Sequence, residues 1–269
     1  MQEGDKLFAG SIPALYDRFL VPLIFEAAAE DMAARVAEGD PAAVLEIAAG
    51  TGVVTRALAP RLGPECRYVV PDLNQPMLDH ARSRQPEVPR LVWQAADALA
   101  LPFEEASFDV VCCQFGVMFF PDRVAGFREA RRVLRPGGRF ILSTWDRLEL
   151  SELPHCVTRA VDELYPDDPP RFLERTPHGY HDPERIRSDL AAAGFGSVAV
   201  DFLDAISAAP RAWDVATAFC QGTPMRNELE ARGASLEAVT AHAARAVERE
   251  YGAGPVSGRI RALVVTAMP

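Results

Sequence analysis

Short apolar runs alternate with amphipathic stretches along the first 145 residues. Five runs have the length of buried strands: residues 43–47, 67–70, 91–94, 108–114 and 139–144. Three stretches between them repeat their apolar positions at helical spacing: residues 54–62, 76–84 and 123–134. Strands that alternate with helices predict βαβ units with right-handed crossovers, and therefore a parallel sheet.

The pattern differs on either side of this alternating core. Residues 12–38 predict a helix that ends at Gly39-Asp40-Pro41. Beyond residue 145 we expect an irregular proline-rich insertion, a helix, a strand, helical stretches broken at 222–224 and near 233, and a last strand. These segments are residues 151–182, 183–193, 197–206, 211–250 and 261–267. Because the sequence contains no internal repeat and no linker, residues 1–269 are predicted to form one α/β domain.

Composition narrows the class of protein. Of the 269 residues 49% are hydrophobic and 25% charged, and the net charge of −10 disfavours nucleic acid as a partner. No apolar run has the roughly 18–20 residues of a membrane span, and the start of the chain lacks the pattern of a secretory signal. The five cysteines form no CxxC pair or metal-ligand spacing. We therefore expect a cytoplasmic protein with reduced cysteines in its core and no metal.

The stretch VLEIAAGTG, residues 44–52, carries the first candidate chemistry. Gly50 and Gly52 suit a strand-to-helix turn that a ligand approaches closely. The dinucleotide fingerprint G-x-G-x-x-G fails, because Thr55 stands where the third glycine belongs. Glu46, at the end of the strand, would repel a pyrophosphate and attract a cation, which suits the ammonium and sulfonium groups of S-adenosylmethionine. Alternatively, Glu46 accepts hydrogen bonds from nearby backbone donors.

Two further acids follow the next two strands. Asp72, in YVVPDLNQPML, can accept hydrogen bonds from both ribose hydroxyls, or it can cap the helix that begins near Pro76. Asp97, in QAADALALPF, can accept from an adenine amino group beside Ala98, or it is an ordinary loop residue. The exits of parallel strands share one edge of the sheet, and ligands bind at that edge in open α/β folds.

The chain resembles the class I S-adenosylmethionine-dependent methyltransferases, in the small-molecule branch of ubiquinone/menaquinone-type enzymes. The matching segments are YDRFLVPLIFE (16–26), VLEIAAGTGVVTRALA (44–59), PDLNQPML (71–78), AADALALPFEEASFDVV (95–111) and FREARRVLRPGGRFILSTW (127–145). The resemblance implies a Rossmann-like, doubly wound, seven-stranded and mostly parallel sheet with an antiparallel last strand. Two departures, the AAG at 48–50 and Pro71, leave the carboxylates intact.

The resemblance also implies where S-adenosylmethionine binds. Glu46, Gly50 and Gly52 bound the methionine end, Asp72 takes the ribose, and Asp97 with Ala98 takes the adenine. Gln114 and Phe115 flank the cofactor near the methyl group, and Tyr16 covers it. The implied cofactor-binding residues are Tyr16, Glu46, Gly50, Thr51, Gly52, Asp72, Leu73, Met77, Asp97, Ala98, Gln114 and Phe115.

Methyl transfer depends mainly on alignment of donor and acceptor, so no residue is identified as catalytic. His155, His178 and His181 are candidates for a base. We expect a helical cover (residues 1–40), a cofactor-binding core (41–146) and two lid segments (147–182 and 208–255) that enclose a pocket beside Gln114 and Phe115. Their aromatic content favours a small, partly apolar or aromatic acceptor. The sequence is compatible with a homodimer.

Two other functions stay open. A nicotinamide-dependent oxidoreductase shares the fold and the ribose acid, but Glu46 and the missing third glycine speak against it. A non-catalytic S-adenosylmethionine-binding protein is the second alternative, because catalysis by alignment leaves no compulsory residue in the sequence.

Overall fold

A computed structural model of the chain describes residues 12–269. Its centre is a seven-stranded sheet in the order β3-β2-β1-β4-β5-β7-β6. The strands are β1 (Ala43–Glu46), β2 (Arg67–Asp72), β3 (Leu91–Ala95), β4 (Phe108–Gln114), β5 (Leu134–Trp145), β6 (Ser197–Ala209) and β7 (Val256–Met268). All seven predicted strands are confirmed.

Strands β1 to β5 pair in parallel, and β7 makes the β5-β7-β6 part antiparallel, as predicted. The chain passes from β1 outward to β2 and β3, then returns to place β4 on the other side of β1. The exits of β1 and β4 therefore form the switch point of the sheet, where open α/β folds bind their ligands. The register that sets this edge pairs Glu46 with Cys112, so residues 47–52 and 115–116 follow the ends of two neighbouring strands.

Helices form in every predicted helical stretch, and two more form within residues 151–182. They are α1 (Ile12–Leu15), α2 (Glu26–Ala37), α3 (Val53–Leu58), α4 (Gln75–Arg84), α5 (Arg123–Val133), α6 (Glu152–Leu164), α7 (Phe172–Arg175), α8 (Pro183–Ala192), α9 (Ala212–Gln221), α10 (Met225–Ala231) and α11 (Leu236–Tyr251). Wide π-helical turns over Tyr16–Phe25 join α1 to α2, and they contain Pro22. Proline lacks the N–H of an ordinary α-turn, and here the helix continues with the Glu26 N–H bonded to the Val21 carbonyl.

The described chain divides into two compact units. The first unit holds residues 12–26, 145–179 and 204–261, and the second holds 27–144, 180–203 and 262–269. In the first unit α11 packs on α9 and on α6. In the second unit, α2 and α3 pack on one face of the sheet around buried Met32, Val44, Leu58 and Ile141. The prediction of one domain with a cover and two lid segments stays a prediction.

The prediction of an irregular insertion at 151–182 is wrong over its first half, where the chain forms helix α6. Leu153, Cys156, Val157 and Ala160 are buried along one side of α6, at the spacing of a helix that packs by one face. Pro154 lies in the first turn, where its missing N–H has no helical partner to lose. The prolines that mark the segment as irregular belong to its second half.

Two smaller expectations from the sequence concern the cysteines and Pro71. All five cysteines are buried, as expected for core residues. Pro71 lies inside β2, and its carbonyl accepts a hydrogen bond from the Ala49 N–H at 3.2 Å. This position therefore ties the β1 turn to β2 through an acceptor, although it cannot donate to a neighbouring strand.

Candidate functional site

The turn after β1 has a backbone that glycine adopts most readily. Gly50 and Gly52 have φ of 58° and 78°, and Ala48 takes the same left-handed conformation with φ of 55°. The Gly52 N–H closes the turn onto the Ala49 carbonyl at 3.0 Å. Residue 48 is thus strained where a glycine would be relaxed, and strain of this kind concentrates at functional sites.

Glu46 lies beneath this turn and is 2% exposed. The hydroxyls of Thr55 and Tyr68 both donate to its Oε2, from Thr55 at 2.8 Å. Burial raises the pKa of Glu46 to about 7, although both hydroxyl donors and nearby Arg56 act in the opposite direction. The alternative in which Glu46 accepts from backbone donors does not describe these bonds, because both donors are side chains.

Thr55 and Tyr68 are functional candidates that sequence reasoning missed. Thr55 occupies the place of the absent third glycine, and its hydroxyl provides the Glu46 contact. Tyr68 pairs with Val44 in the sheet and reaches forward along the same face to Glu46. A tyrosine in a buried strand needs a partner for its hydroxyl, and that signal could have found it.

Asp72, at the exit of β2, joins the two turns and is 6% exposed. Its Oδ2 accepts from the Gly50 N–H at 2.8 Å, and its Oδ1 accepts from the Asn74 N–H at 2.7 Å. Burial raises the pKa of Asp72, and the two N–H donors oppose that rise. The residue at the N-cap position of α4 is Asn74. Asp72 therefore holds the β1 turn and does not occupy the capping position that the alternative gave it.

The exit of β4 packs directly on the β1 turn. A Cβ on Gly116 would lie 2.5 Å from the Ala48 Cβ and 2.7 Å from the Cys113 Sγ, so only glycine fits there without a shift. Phe115, just before it, is buried and also left-handed, with φ of 52°. Gln114 ends the strand as the register partner of Ser143 on β5.

Three buried side-chain oxygens at these exits lack a hydrogen-bond partner. They are Thr51 Oγ1, Gln114 Oε1 and Ser143 Oγ, and other buried side-chain atoms elsewhere in the described residues also lack one. Buried polar groups usually have a partner, so each of these three oxygens is a candidate contact for a ligand or a water molecule. Ser143 was not predicted from the sequence, because its only signal is its pairing with Gln114.

The remaining predicted residues of this unit lie around the same edge. The Met77 methyl group is 3.8 Å from where a Gly50 Cβ would stand, and Met77 is buried. Leu73 is 56% exposed, an unusual position for a large apolar side chain next to a buried carboxylate. Asp97 is exposed and accepts from the Leu99 N–H at 2.9 Å, beside half-buried Ala98. The roles of these residues toward a cofactor stay predictions.

Tyr16 and the candidate bases fall mostly in the first unit. Tyr16 stacks on Phe25 at 5.1 Å, Phe25 lies 5.8 Å from Trp145, and Trp145 lies 6.4 Å from His178. His178 is buried, and its Nδ1 donates to the Asp146 carbonyl at 2.7 Å. His155 is half-buried on α6. The covering role of Tyr16 and the enclosed pocket beside Gln114 stay predictions.

Comparison with known proteins adds the family. Residues 45–142 match the model of a methyltransferase domain. The chain is 35% identical over 175 residues to the ubiquinone/menaquinone biosynthesis C-methyltransferase UbiE of Dinoroseobacter shibae, covering 58% of this chain and 66% of that relative. The chain thus spans just under two thirds of the length of this curated relative.

Solved structures agree on the fold. Phosphoethanolamine N-methyltransferase 2 of Haemonchus contortus, in complex with phosphomonomethylethanolamine and S-adenosylhomocysteine, has a TM-score of 0.62 at 16% identity, covering 98% of this chain and 59% of that one. The [4+2]-cyclase SpnF has a TM-score of 0.57 at 17% identity, covering 91% and 81%. A cyclase and a methyltransferase on one architecture show that function must be argued from the site.

Proposed function

We propose that this chain, which belongs to the class I S-adenosylmethionine-dependent methyltransferases, transfers a methyl group from S-adenosylmethionine to a small-molecule acceptor. The proposal proceeds from the exits of β1, β2 and β4, which meet at the switch point of the sheet. The observation that carries it is the buried Asp72 carboxylate, fixed by the Gly50 N–H beside a left-handed turn. A carboxylate held in this way presents its remaining lone pairs to two hydroxyls of a ribose.

The other residues of this edge divide the cofactor among them. Glu46 favours the ammonium group of the methionine end, and Thr51 and Gln114 supply oxygens that lack a partner within the described chain. Leu73 and Met77 offer apolar surface for the adenine, with Asp97 as acceptor for its amino group. A bound dinucleotide would place its pyrophosphate over Glu46, so the same residues disfavour the nicotinamide alternative.

Bound S-adenosylmethionine supplies a methyl group that is already activated toward a nucleophile. The task of the chain is then to fix the geometry of attack and to exclude water, and alignment of this kind is worth on the order of 7–11 kcal/mol. Gln114 and Phe115 lie at the exit of β4 and are the residues we assign to the methyl end. Ser143, the register partner of Gln114, provides a hydroxyl for a polar group of the acceptor.

For the acceptor we propose a small, partly apolar or aromatic molecule. The similar relative is named for methylation in quinone biosynthesis, and the first unit of this chain contains the aromatic series Tyr16, Phe25, Trp145 and His178. His178 is the preferred candidate base among the three histidines. Its Nδ1–H is fixed on a carbonyl, so the proton-accepting nitrogen of the ring is Nε2.

Titration calorimetry with S-adenosylmethionine, S-adenosylhomocysteine and NAD tests the cofactor. We expect binding of the first two and none of NAD; binding of NAD alone would overturn the proposal. A methylation screen with phenols, quinols and amines, and with tRNA for comparison, then tests the acceptor class. S-adenosylhomocysteine binding without turnover of any acceptor would favour the non-catalytic alternative.

The location, the exclusion of nucleic acid and the oligomeric state are also proposals. No helix in residues 12–269 is long and apolar enough to cross a membrane. Separately from that finding, we propose a cytoplasmic location. Exclusion of nucleic acid rests on the net charge of −10. Light scattering across a concentration series tests the homodimer.

A further inference from the structure

Glu46 is held differently from the other carboxylate of the site. The Tyr68 hydroxyl reaches it from β2 and the Thr55 hydroxyl from α3. Within the described chain both donors bond the same oxygen, Oε2, which leaves Oε1 for a donor that a ligand brings. A carboxyl buried in this way favours its neutral form until a cation arrives.

We propose that Tyr68 and Thr55 are positioning residues for the cofactor, holding Glu46 so that arrival of the ligand ammonium ionises the buried carboxyl and releases its proton to solvent. The inference rests on the proposed function, because it needs an amino-acid ligand at the β1 turn. It goes beyond that function by assigning roles to two residues and by coupling cofactor affinity to pH.

Glu46 has one cationic side chain among the neighbours that act on it. Its Coulombic and hydrogen-bonding neighbours come from α3, β2 and β4: Thr55, Arg56, Tyr68, Asp72, Cys112 and Cys113. Of these only Arg56 is cationic, and its Nη1 donates to the Thr51 carbonyl at 2.6 Å. Asp72 and the ionised forms of the thiols and of Tyr68 would oppose a second negative charge. A ligand cation is therefore the group whose arrival most changes the ionisation of Glu46.

The direction of the pH effect follows from burial. The pKa of Glu46 is raised to about 7 without ligand, chiefly because burial disfavours the charge. A bound ammonium group lowers that pKa, so binding releases protons near and below pH 7. S-adenosylhomocysteine affinity should therefore fall by up to about tenfold per pH unit below 7, and level off above it until the ligand amine itself titrates.

Tyr68→Phe and Thr55→Val test the positioning roles. Each hydroxyl favours the ionised carboxylate, so its removal should move the midpoint of the affinity profile to higher pH and lower affinity at pH 7 by about tenfold. A merely structural role would reduce the melting temperature and leave the midpoint where it is. Tyr251→Phe is the matched control, because Tyr251 donates to exposed Glu250 at 3.2 Å, away from the β1 turn.

The experiment is calorimetry of the full chain with S-adenosylhomocysteine from pH 5.5 to 8.5, in two buffers of different ionisation enthalpy. The wild type should release about half a proton per ligand at pH 7. Glu46→Gln should show neither this release nor the midpoint near 7. Binding with the same pH profile in wild type and Glu46→Gln overturns the inference and leaves the proposed function intact. Absence of binding at every pH overturns both.

Discussion

The ends of β1 and β2 each carry a buried carboxylate, but different kinds of donor hold them. Asp72 accepts from two backbone N–H groups, those of Gly50 and Asn74. Glu46 accepts from two side-chain hydroxyls, those of Thr55 and Tyr68. Backbone donors come with the fold, whereas hydroxyl donors depend on which residues occupy two positions.

Because of this difference, the donors of Asp72 mainly determine where its carboxylate lies, and the donors of Glu46 affect whether its carboxyl is charged. Asp72 is placed wherever the two turns form, which suits a group that must meet fixed ribose hydroxyls. The charge of Glu46 depends on removable side chains, and burial outweighs them enough to raise its pKa to about 7. Backbone donors therefore hold the carboxylate at the end of β2, and in our proposal the carboxylate at the end of β1 is the one whose charge responds to the ligand.

The largest effect is expected for Asp72→Ala. On the proposed function it removes two charge-assisted hydrogen bonds to ribose, each worth roughly 1.5–3 kcal/mol, so S-adenosylhomocysteine affinity should fall at least about 100-fold. The matched control is Asp122→Ala, which removes the cap of α5, where Asp122 accepts from the Ala125 N–H at 2.9 Å. The control should cost about 1 kcal/mol of stability without loss of affinity. Equal affinity losses in both variants would contradict a ribose role for Asp72.

The pH dependence of stability should next reveal the raised pKa of Glu46. Because the folded-state pKa of Glu46 is raised from 4.5 to about 7, the folded protein binds the extra proton between these values. The contribution of Glu46 to the free energy of unfolding therefore decreases as pH rises from 4.5 to 7, by about 3 kcal/mol, and is constant above 7. Urea denaturation of wild type and Glu46→Gln at pH 5 and pH 8 measures it. An unchanged difference between the two proteins would disprove the raised pKa.

Gly116→Ala examines how the β4 exit supports the turn above Glu46. The new methyl group would meet the Ala48 Cβ at 2.5 Å, so the turn or the exit must move. We expect a loss of about 1–3 kcal/mol in the free energy of unfolding and weaker S-adenosylhomocysteine binding. Gly254→Ala is the control, since no atom lies within 4 Å of its added methyl group. Similar losses in both variants would argue against this packing.

The smallest effect is expected for Ala48→Gly. Glycine relieves a left-handed conformation that costs an alanine about 1–2 kcal/mol, and gives back about 0.4–1 kcal/mol through the freer unfolded chain. Thermal unfolding should show a net gain of up to about 1.5 kcal/mol. Ala49→Gly should lose stability instead, because Ala49 is not among the left-handed residues of the described chain. A loss in Ala48→Gly would mean that the β1 turn is not strained there.

Sequence pattern accounts for most of the sheet and for the location of the site. Strands of β-like residues with helical stretches between them allow few topologies, so five parallel strands and a shared exit edge follow from local preference and right-handed crossovers. Helix α6 was not predicted because the prolines and charges of residues 151–182 were considered together. The apolar face that identifies the helix, with Leu153, Val157 and Ala160, lies only in the first half of that segment.

By itself the sequence determined that Glu46 and Asp72 lie at the ends of two successive strands and that Asp97 follows the third, since strand order and turn residues are local properties. Only the tertiary structure decided what each carboxylate does there. Thr55 and Tyr68 are 9 and 22 residues from Glu46, and Gly50 is 22 residues from Asp72. Their contacts form only when the sheet brings distant segments together, and burial, which sets the charge of Glu46, is a property of the whole packed core.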